Sequence, residues 1–253
     1  MSAHVVFVHG MWSTPGVWDK WRGQFERAGF STEAFALPGH SGDEADHALH
    51  GLGLADYCEA VLQRVTNLSE PPVVVGHSLG GLIAQQVATR ARLAAAILVC
   101  SAAPAPIFPQ RLSMLPSLAR HFHPFGSWRG AFRLSRREAD CLIFNVVPPT
   151  DRQRLYETLI AESGRVAWEA AYGTLNWTGS NRVEQTTLTC PMLALAGGRD
   201  HIIPAGVSRR MARWYGEKMD YREYAAHGHW MLSSEAGWNL RAKEACTWLS
   251  ESL

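Results

Sequence analysis

A serine at the corner between a strand and a helix is the first feature of this sequence that suggests chemistry. Ser78 follows the buried run Val73–Val75 and precedes Leu82–Ala88, where apolar residues recur at helical spacing. Gly76 and Gly80 flank the serine at two residues on each side, which leaves room for the strand and the helix to approach each other. This G-x-S-x-G pattern predicts an outward-facing nucleophile, and the alternative is a plain strand–helix connection in a nucleotide-binding sheet.

Activation of a serine hydroxyl requires a base beside it and an acid that orients the base. In an open parallel sheet, functional side chains lie just past the carboxyl ends of strands. Asp200 follows the strand-like run Met192–Ala196, and His229 follows the last strand-like run, Met219–Tyr224. Hydrolases with this kind of serine corner use the same chain order of serine, acid and histidine. We therefore expect Asp200 and His229 to serve Ser78 as acid and base.

Both partners of the serine have alternatives. Asp200 lies in a Gly-Gly-Arg-Asp-His turn, where aspartate is common as a residue that caps the next helix. His227 competes with His229 for the role of base, since the two lie on the same loop. The apolar run Trp230–Leu232 is typical of a loop that packs down beside a site, and it favours His229.

The stretch His9–Trp12 follows the first strand-like run and suggests a second part of the chemistry. Gly10 permits a tight turn that leaves the Met11 amide free, and Leu79 supplies the amide that follows the nucleophile at the start of a helix. Two such amides form an oxyanion hole, in which each donor is worth about 3 kcal/mol of barrier. The alternative is that His9 and Gly10 simply end the strand.

The elements that must position these residues alternate between strand and helix from residue 4 to residue 100. This alternation predicts an α/β fold with a mostly parallel sheet of about six strands and helices on both faces. Residues 1–103 and 187–253 are expected to form this core. Residues 104–186 contain several early prolines and then only helix-like runs, so they are expected to form a helical cap over the carboxyl edge of the sheet. In the closing helix, Leu240, Ala245, Trp248 and Leu249 are expected to face inward.

Composition and charge argue against several classes of protein. The 253 residues include 24 basic and 23 acidic side chains, for a net charge of +1, so no nucleic-acid or membrane-surface partner is expected. No apolar run reaches the roughly 18 residues of a membrane helix. The five cysteines are scattered without a C-x-x-C pair, and the first strand begins too close to Met1 for an export signal. We therefore expect reduced thiols in the cytoplasm.

Patterns that bind cofactors or metals lack support in the sequence. No G-x-G-x-x-G follows the first strand, and no G-x-x-x-x-G-K-[ST] occurs. Two H-x-H pairs, His121 with His123 and His227 with His229, lack a third ligand at the spacing of a hydrolytic zinc site. The sequence thus predicts no metal and no cofactor, with a small-molecule substrate as partner and an oligomeric state left open.

Several aromatic residues are candidates for the lining of a substrate pocket. An apolar pocket would suit a small acyl or aryl ester, or a lactone. The alternative is that the tryptophans of the cap are core residues. The candidates are Trp12, His77, Trp128, Trp168, Trp177 and Trp230.

Four motifs together resemble the α/β-hydrolase superfamily, and the resemblance covers nearly the whole chain. They are Val8–Gly10, Gly76–Gly81, Gly197–Asp200 and Gly228–Trp230, and Leu37–Gly42 is similar to a loop that these enzymes often carry. The superfamily also implies a cap between the fourth and fifth predicted strands of the sheet, which is where the helix-like runs lie.

The resemblance implies a role for each residue singled out above. Ser78 would be the nucleophile, Asp200 the acid and His229 the base, with Met11 and Leu79 as the oxyanion donors. A serine in this position argues against epoxide hydrolases and dehalogenases, which use aspartate there. The implied activity is that of a carboxylesterase acting through an acyl-enzyme. Carbon–carbon bond hydrolases, perhydrolases and acyltransferases use the same triad, and a ligand receptor can keep the fold.

One departure from the family pattern concerns the loop of the base. Glu235 falls six residues after His229 rather than the commoner five, with Ala236 where proline is frequent. This shift weakens the choice of His229 over His227.

Overall fold

The centre of the structure is a sheet of six strands. The computed structural model of the protein describes residues 3–41, 46–107, 130–172, 179–233 and 237–253. The strands, in chain order, are β1 (His4–Val8), β2 (Ser31–Phe35), β3 (Val73–His77), β4 (Ala95–Val99), β5 (Ala131–Phe132), β6 (Glu162–Ser163), β7 (Met192–Gly197) and β8 (Met219–Tyr224). The main sheet has the order β2-β1-β3-β4-β7-β8 with every pair parallel, which confirms the predicted fold class.

Helices connect the strands and cover both faces of the sheet. They are α1 (Asp19–Arg27), α2 (Leu54–Thr66), α3 (Leu79–Ala88), α4 (Arg136–Leu142), α5 (Pro149–Glu157), α6 (Gly164–Tyr172), α7 (Ala205–Tyr215) and α8 (Trp238–Ser252). Among the described residues, no helix combines the length and the apolar character that crossing a bilayer requires.

The first strand shows why the core has two halves. Val5 and Phe7 pack into one apolar cluster with aromatic residues of α1 and α8. Val6 and Val8 point to the opposite face and pack with apolar residues of α2 and α3. Because side chains alternate along a strand, a run that is apolar at every position must be buried on both faces.

The segment between β4 and β7 differs from expectation in one respect. The sequence predicted only helices there, and α4, α5 and α6 are present. However, β5 and β6 pair antiparallel, with Ala131 opposite Ser163 and Phe132 opposite Glu162. Strands of two residues are too short to show alternation, so no periodic signal marked them.

The prediction that Leu240 faces inward is wrong. Its side chain is 57% exposed. The buried residues of α8 include Ala242, Ala245 and Leu249, which recur at intervals of three and four residues. Leu240 lies five residues before Ala245 and therefore falls off this stripe.

Two glycines allow α3 to pack closely against β3 and β1. A Cβ on Gly76 would lie 2.2 Å from the Gly80 carbonyl oxygen, and a Cβ on Gly80 would lie 2.3 Å from the Val8 carbonyl oxygen. Both obstacles are backbone atoms, which cannot rotate away as a side chain can. The turn that carries Ser78 is therefore closed to any larger residue at either position.

We expect Gly76→Ala to lower the free energy of unfolding by at least about 2 kcal/mol, because the new methyl group must displace the backbone at the start of α3. Gly206→Ala is the matched control: Gly206 lies within α7, and among the described residues no atom outside the adjacent turns of that helix lies within 4 Å of its missing Cβ. There alanine is expected to raise stability by up to about 1 kcal/mol. Urea unfolding of both variants checks this, and equal stabilities would contradict it.

Candidate active site

Ser78 lies in a backbone conformation that a serine rarely adopts. Its φ is 54° and its ψ is −115°, and only 4% of the residue is exposed. The end of β4 and the segment after it hold Ser78 there: its amide donates to the Val99 carbonyl at 3.0 Å, and its carbonyl accepts from the Ala102 amide at 2.9 Å. Strain of this kind costs on the order of 1–3 kcal/mol and persists where surrounding structure enforces it.

The structure brings Ser78, His229 and Asp200 together in one line of hydrogen bonds. The Ser78 hydroxyl lies 3.0 Å from His229 Nε2, and His229 Nδ1 lies 2.7 Å from Asp200 Oδ2. Because a carboxylate can only accept, Nδ1 carries a proton and Nε2 is left to accept from the serine. The competing histidine, His227, contacts the Tyr224 ring instead, at 5.6 Å between ring centroids.

Asp200 is held by the backbone that follows it. Its Oδ1 accepts from the amides of Ile202 and Ile203, both at 2.8 Å. A carboxylate that accepts two amides and one imidazole N–H has a fixed orientation. The alternative that Asp200 caps the next helix is wrong, because the N-cap residue of α7 is Pro204. Asp200 instead accepts from amides of the turn before α7 and contacts His229.

His77 contacts His229 directly. Its Nε2 donates to the His229 carbonyl at 3.0 Å, and the two imidazole rings lie 4.9 Å apart. Burial, and then the neighbouring His229 ring, lower the pKa of His77 to about 3. His77 is therefore neutral at physiological pH, with its proton on Nε2 and a bare lone pair on Nδ1.

His9 orients the peptide that carries the Met11 amide. The Leu37 amide donates to His9 Nε2 at 3.2 Å, so the ring proton lies on Nδ1, which donates to the Gly10 carbonyl at 2.9 Å. In a trans peptide the carbonyl and the following N–H point in opposite directions, so the Met11 amide points away from His9. In the sequence His9 is recognisable only as part of a strand end, and its contact with the Gly10 carbonyl was not predicted.

The other amide predicted for the oxyanion hole belongs to Leu79. Leu79 is the first residue of α3, where helix geometry provides no acceptor one turn earlier. The positive end of the helix dipole adds to its attraction for an anion.

A buried polar network joins Glu162, which lies just before α6, to His40, whose ring packs against that of His9. Glu162 is fully buried, and its Oε1 accepts from the Tyr57 hydroxyl and from the Ser163 amide, each at 2.7 Å. Its Oε2 lies 3.3 Å from His40 Nε2, and the His40 ring lies 5.1 Å from that of His9. Nothing in the sequence marked Glu162, since it fell inside a predicted helix.

Cys100 is a further buried neighbour of the site. It adopts a φ of 46°, and its thiol donates to the Gly228 carbonyl at 3.6 Å. Ligand atoms of Cys100, Asp200 and His229 lie within 4.8 Å of one another, a grouping that resembles a metal site. Both oxygens of the Asp200 carboxylate already accept hydrogen bonds, so the arrangement fits a hydrogen-bonded acid better than a metal ligand.

A cleft beside Ser78 has a volume of about 10 Å³, which is room for roughly one water. It is lined by Met11, Trp12, Ser13, His77, Ser78, Ile143, Ile202, His229 and Trp230. Three of the predicted pocket residues, Trp12, His77 and Trp230, are thus in place. Trp168 lies half-buried on α6 and does not line this cleft, while Trp128 and Trp177 lie outside the described residues, as does Glu235.

Acid is expected to destabilise the fold through two histidines. Burial, and then the nearby His40, lower the pKa of His9 to about 3, as burial does for His77. The unfolded chain binds these protons near pH 6.5, whereas the folded chain does not bind them until about pH 3. The free energy of unfolding should therefore fall as pH drops from about 6.5 towards 3, by on the order of 1.4 kcal/mol per pH unit for each histidine.

Urea unfolding between pH 7.5 and pH 5 measures this slope. In His77→Gln the dependence of the free energy of unfolding on pH should be weaker, by about the contribution of one histidine. A stability that does not change over this range would contradict the prediction.

The sequence matches the alpha/beta hydrolase family over residues 5–238. The chain belongs to this family. The match spans Ser78, Asp200 and His229, and it ends at the start of α8. None of the curated proteins compared with the sequence matches it.

Solved structures of this hydrolase fold resemble the chain over its whole length. A monoacylglycerol lipase from Paleococcus ferrophilus has a TM-score of 0.74 at 21% identity, with 99% of this chain and 95% of that chain covered. A methylesterase from Arabidopsis has a TM-score of 0.72 at 14% identity, covering 99% and 98%. Tomato methylketone synthase I, complexed with 2-tridecanone, has a TM-score of 0.75 at 13% identity, with 100% of each chain covered. At such identities the likeness establishes the fold.

Proposed function

We propose that this hydrolase cleaves a small, largely apolar carboxylic ester or lactone through an acyl-enzyme on Ser78. The observation that carries the proposal is the buried line of hydrogen bonds from Ser78 through His229 to Asp200. Each member follows a different strand of the main sheet, at the edge where parallel sheets place their functional residues. The names of two similar structures, a monoacylglycerol lipase and a methylesterase, also support ester substrates.

The proposed reaction proceeds in two halves. His229 removes the proton of Ser78 as the serine oxygen attacks the ester carbonyl, and the amides of Met11 and Leu79 hold the resulting oxyanion. His229 then gives its proton to the departing alcohol, which leaves an acyl-enzyme. In the second half, water attacks the acyl carbon while His229 takes its proton, and Ser78 recovers a proton as the acid product leaves. Asp200 keeps Nδ1 protonated throughout.

Residues 1–103 and 187–253 are proposed to form the hydrolase core. Residues 104–186 are proposed to form a cap over this core, and the cap would determine which acyl group is accepted. Ile143, which immediately follows α4, already lines the cleft beside Ser78. None of the five cysteines forms a disulfide, which supports a reducing compartment such as the cytoplasm.

Labelling with a fluorophosphonate probe, together with a panel of esters, lactones, thioesters and β-diketones, tests the proposal. The expected result is stoichiometric labelling of Ser78 and steady turnover of short esters. A burst of product equal to the enzyme concentration without turnover would indicate a receptor. Turnover of β-diketones alone would indicate carbon–carbon bond hydrolysis, and either result would overturn the proposed function.

A further inference from the structure

Trp12 combines two unfavourable features at one position. Its φ is 60°, a left-handed backbone that bulky residues rarely adopt. Its side chain is buried, with 5% of the residue exposed, and its indole N–H has no hydrogen-bond partner in the part of the chain that the structure describes. Each feature opposes folding, because a left-handed backbone strains a bulky residue and a buried donor without a partner loses its hydrogen bond to water.

Contacts from the segment between β4 and β7 hold Trp12 in place. Its carbonyl accepts from the Ile160 amide at 2.9 Å, and its ring meets the Phe132 ring edge to face at 5.6 Å. The position of the indole is therefore set by the surrounding structure. Unpaired buried donors in strained positions are concentrated at ligand sites.

The cleft that Trp12 lines also contains Ser78 and an unpaired acceptor. His77 Nδ1 bears a lone pair because Nε2 donates to the His229 carbonyl, and Nδ1 lacks a partner among the described residues. A Cβ on Gly10 would lie 3.1 Å from His77 Nδ1 and 2.9 Å from Ser78 Cβ, so Nδ1 and the nucleophile both lie close to the Gly10 backbone. The residues that carry this unpaired donor and this unpaired acceptor thus line the same small cleft.

We propose that Trp12 Nε1 and His77 Nδ1 form a subsite for a hydroxyl group on the carbon next to the scissile carbonyl, so that the preferred substrates are 2-hydroxy esters. A hydroxyl group is at once a donor and an acceptor, and it satisfies both orphan atoms. The cleft has room for one small polar group and borders Ser78, which places that group beside the attacked carbon. The inference rests on the proposed ester hydrolysis.

Three matched methyl esters test the subsite: methyl 2-hydroxybutanoate, methyl 2-methoxybutanoate and methyl butanoate. The hydroxy ester offers both hydrogen bonds, the methoxy ester only accepts, and the third offers neither. We expect kcat/KM to be about ten- to a hundredfold higher for the hydroxy ester than for methyl butanoate, with the methoxy ester between them. Trp12→Phe, which removes the N–H and keeps an aromatic ring, should reduce this preference at least about fivefold.

Trp18→Phe is the matched control. Trp18 is also fully buried and its indole N–H is also unpaired among the described residues. Trp18 does not line the cleft, but its ring meets the His77 ring edge to face at 6.4 Å, so this variant also controls for packing against His77. The control should keep the wild-type preference. A loss of preference in both variants would attribute the effect to packing and overturn the subsite.

Other outcomes separate this inference from the proposed function. Equal kcat/KM values for the three esters in the wild type would overturn the subsite and leave ester hydrolysis standing. A slowing of all three esters by the same factor in Trp12→Phe would assign the N–H to the hydrolytic water, and it would also overturn the subsite. No turnover of any ester and no fluorophosphonate labelling would overturn both proposals.

Discussion

Replacing Ser78 by alanine is expected to lower kcat for a short p-nitrophenyl ester by about 10⁴-fold or more and to abolish fluorophosphonate labelling. The variant keeps the backbone but lacks the hydroxyl oxygen that lies 3.0 Å from His229 Nε2, so no acyl-enzyme forms. Residual catalysis would come from the oxyanion donors and binding alone. Steady-state hydrolysis, with circular dichroism to verify the fold, measures the effect.

Ser208→Ala is the matched control for this substitution. Ser208 is equally buried, with 2% exposure, but lies on α7 away from the cleft. It should retain wild-type turnover and labelling. Activity in Ser78→Ala equal to that of Ser208→Ala would show that another residue is the nucleophile.

Replacing His229 by alanine is expected to cost about as much as the loss of the serine, on the order of 10⁴-fold or more in kcat. Without the imidazole, Ser78 has no base and the leaving alcohol has no acid. Asp200 Oδ2 also loses the N–H that lies 2.7 Å away, so a small loss of stability should accompany the loss of activity. Single-turnover measurements should show that acylation itself is slowed.

His227→Ala tests which of the two histidines is the base, a choice that the sequence left open. His227 lies on the same loop as His229, but its ring packs against the Tyr224 ring at 5.6 Å between centroids. We expect this variant to retain nearly all of the wild-type activity. A loss in His227→Ala comparable to that in His229→Ala would contradict the assignment of the base.

Most of the fold followed from local patterns. At Ser78 the apolar pattern changes from a continuous strand-like run to the spacing of three and four residues that is typical of a helix. Continuous apolar runs such as Val73–Val75 predicted strands buried on both faces, and the two core clusters confirm this. The short β5–β6 pair and the exposure of Leu240 were not predictable, since two residues carry no period and one helical face resembles another over a single turn.

The residues of the candidate site divide in the same way. Ser78, its flanking glycines and the positions of Asp200 and His229 after their strands were determined by the sequence alone, because each depends on residues within a few positions. The pairing of Glu162 with His40 and the strained, unpaired indole of Trp12 were decided only by the tertiary structure. These contacts join segments far apart in the chain, and their geometry depends on how the whole core packs rather than on any local pattern.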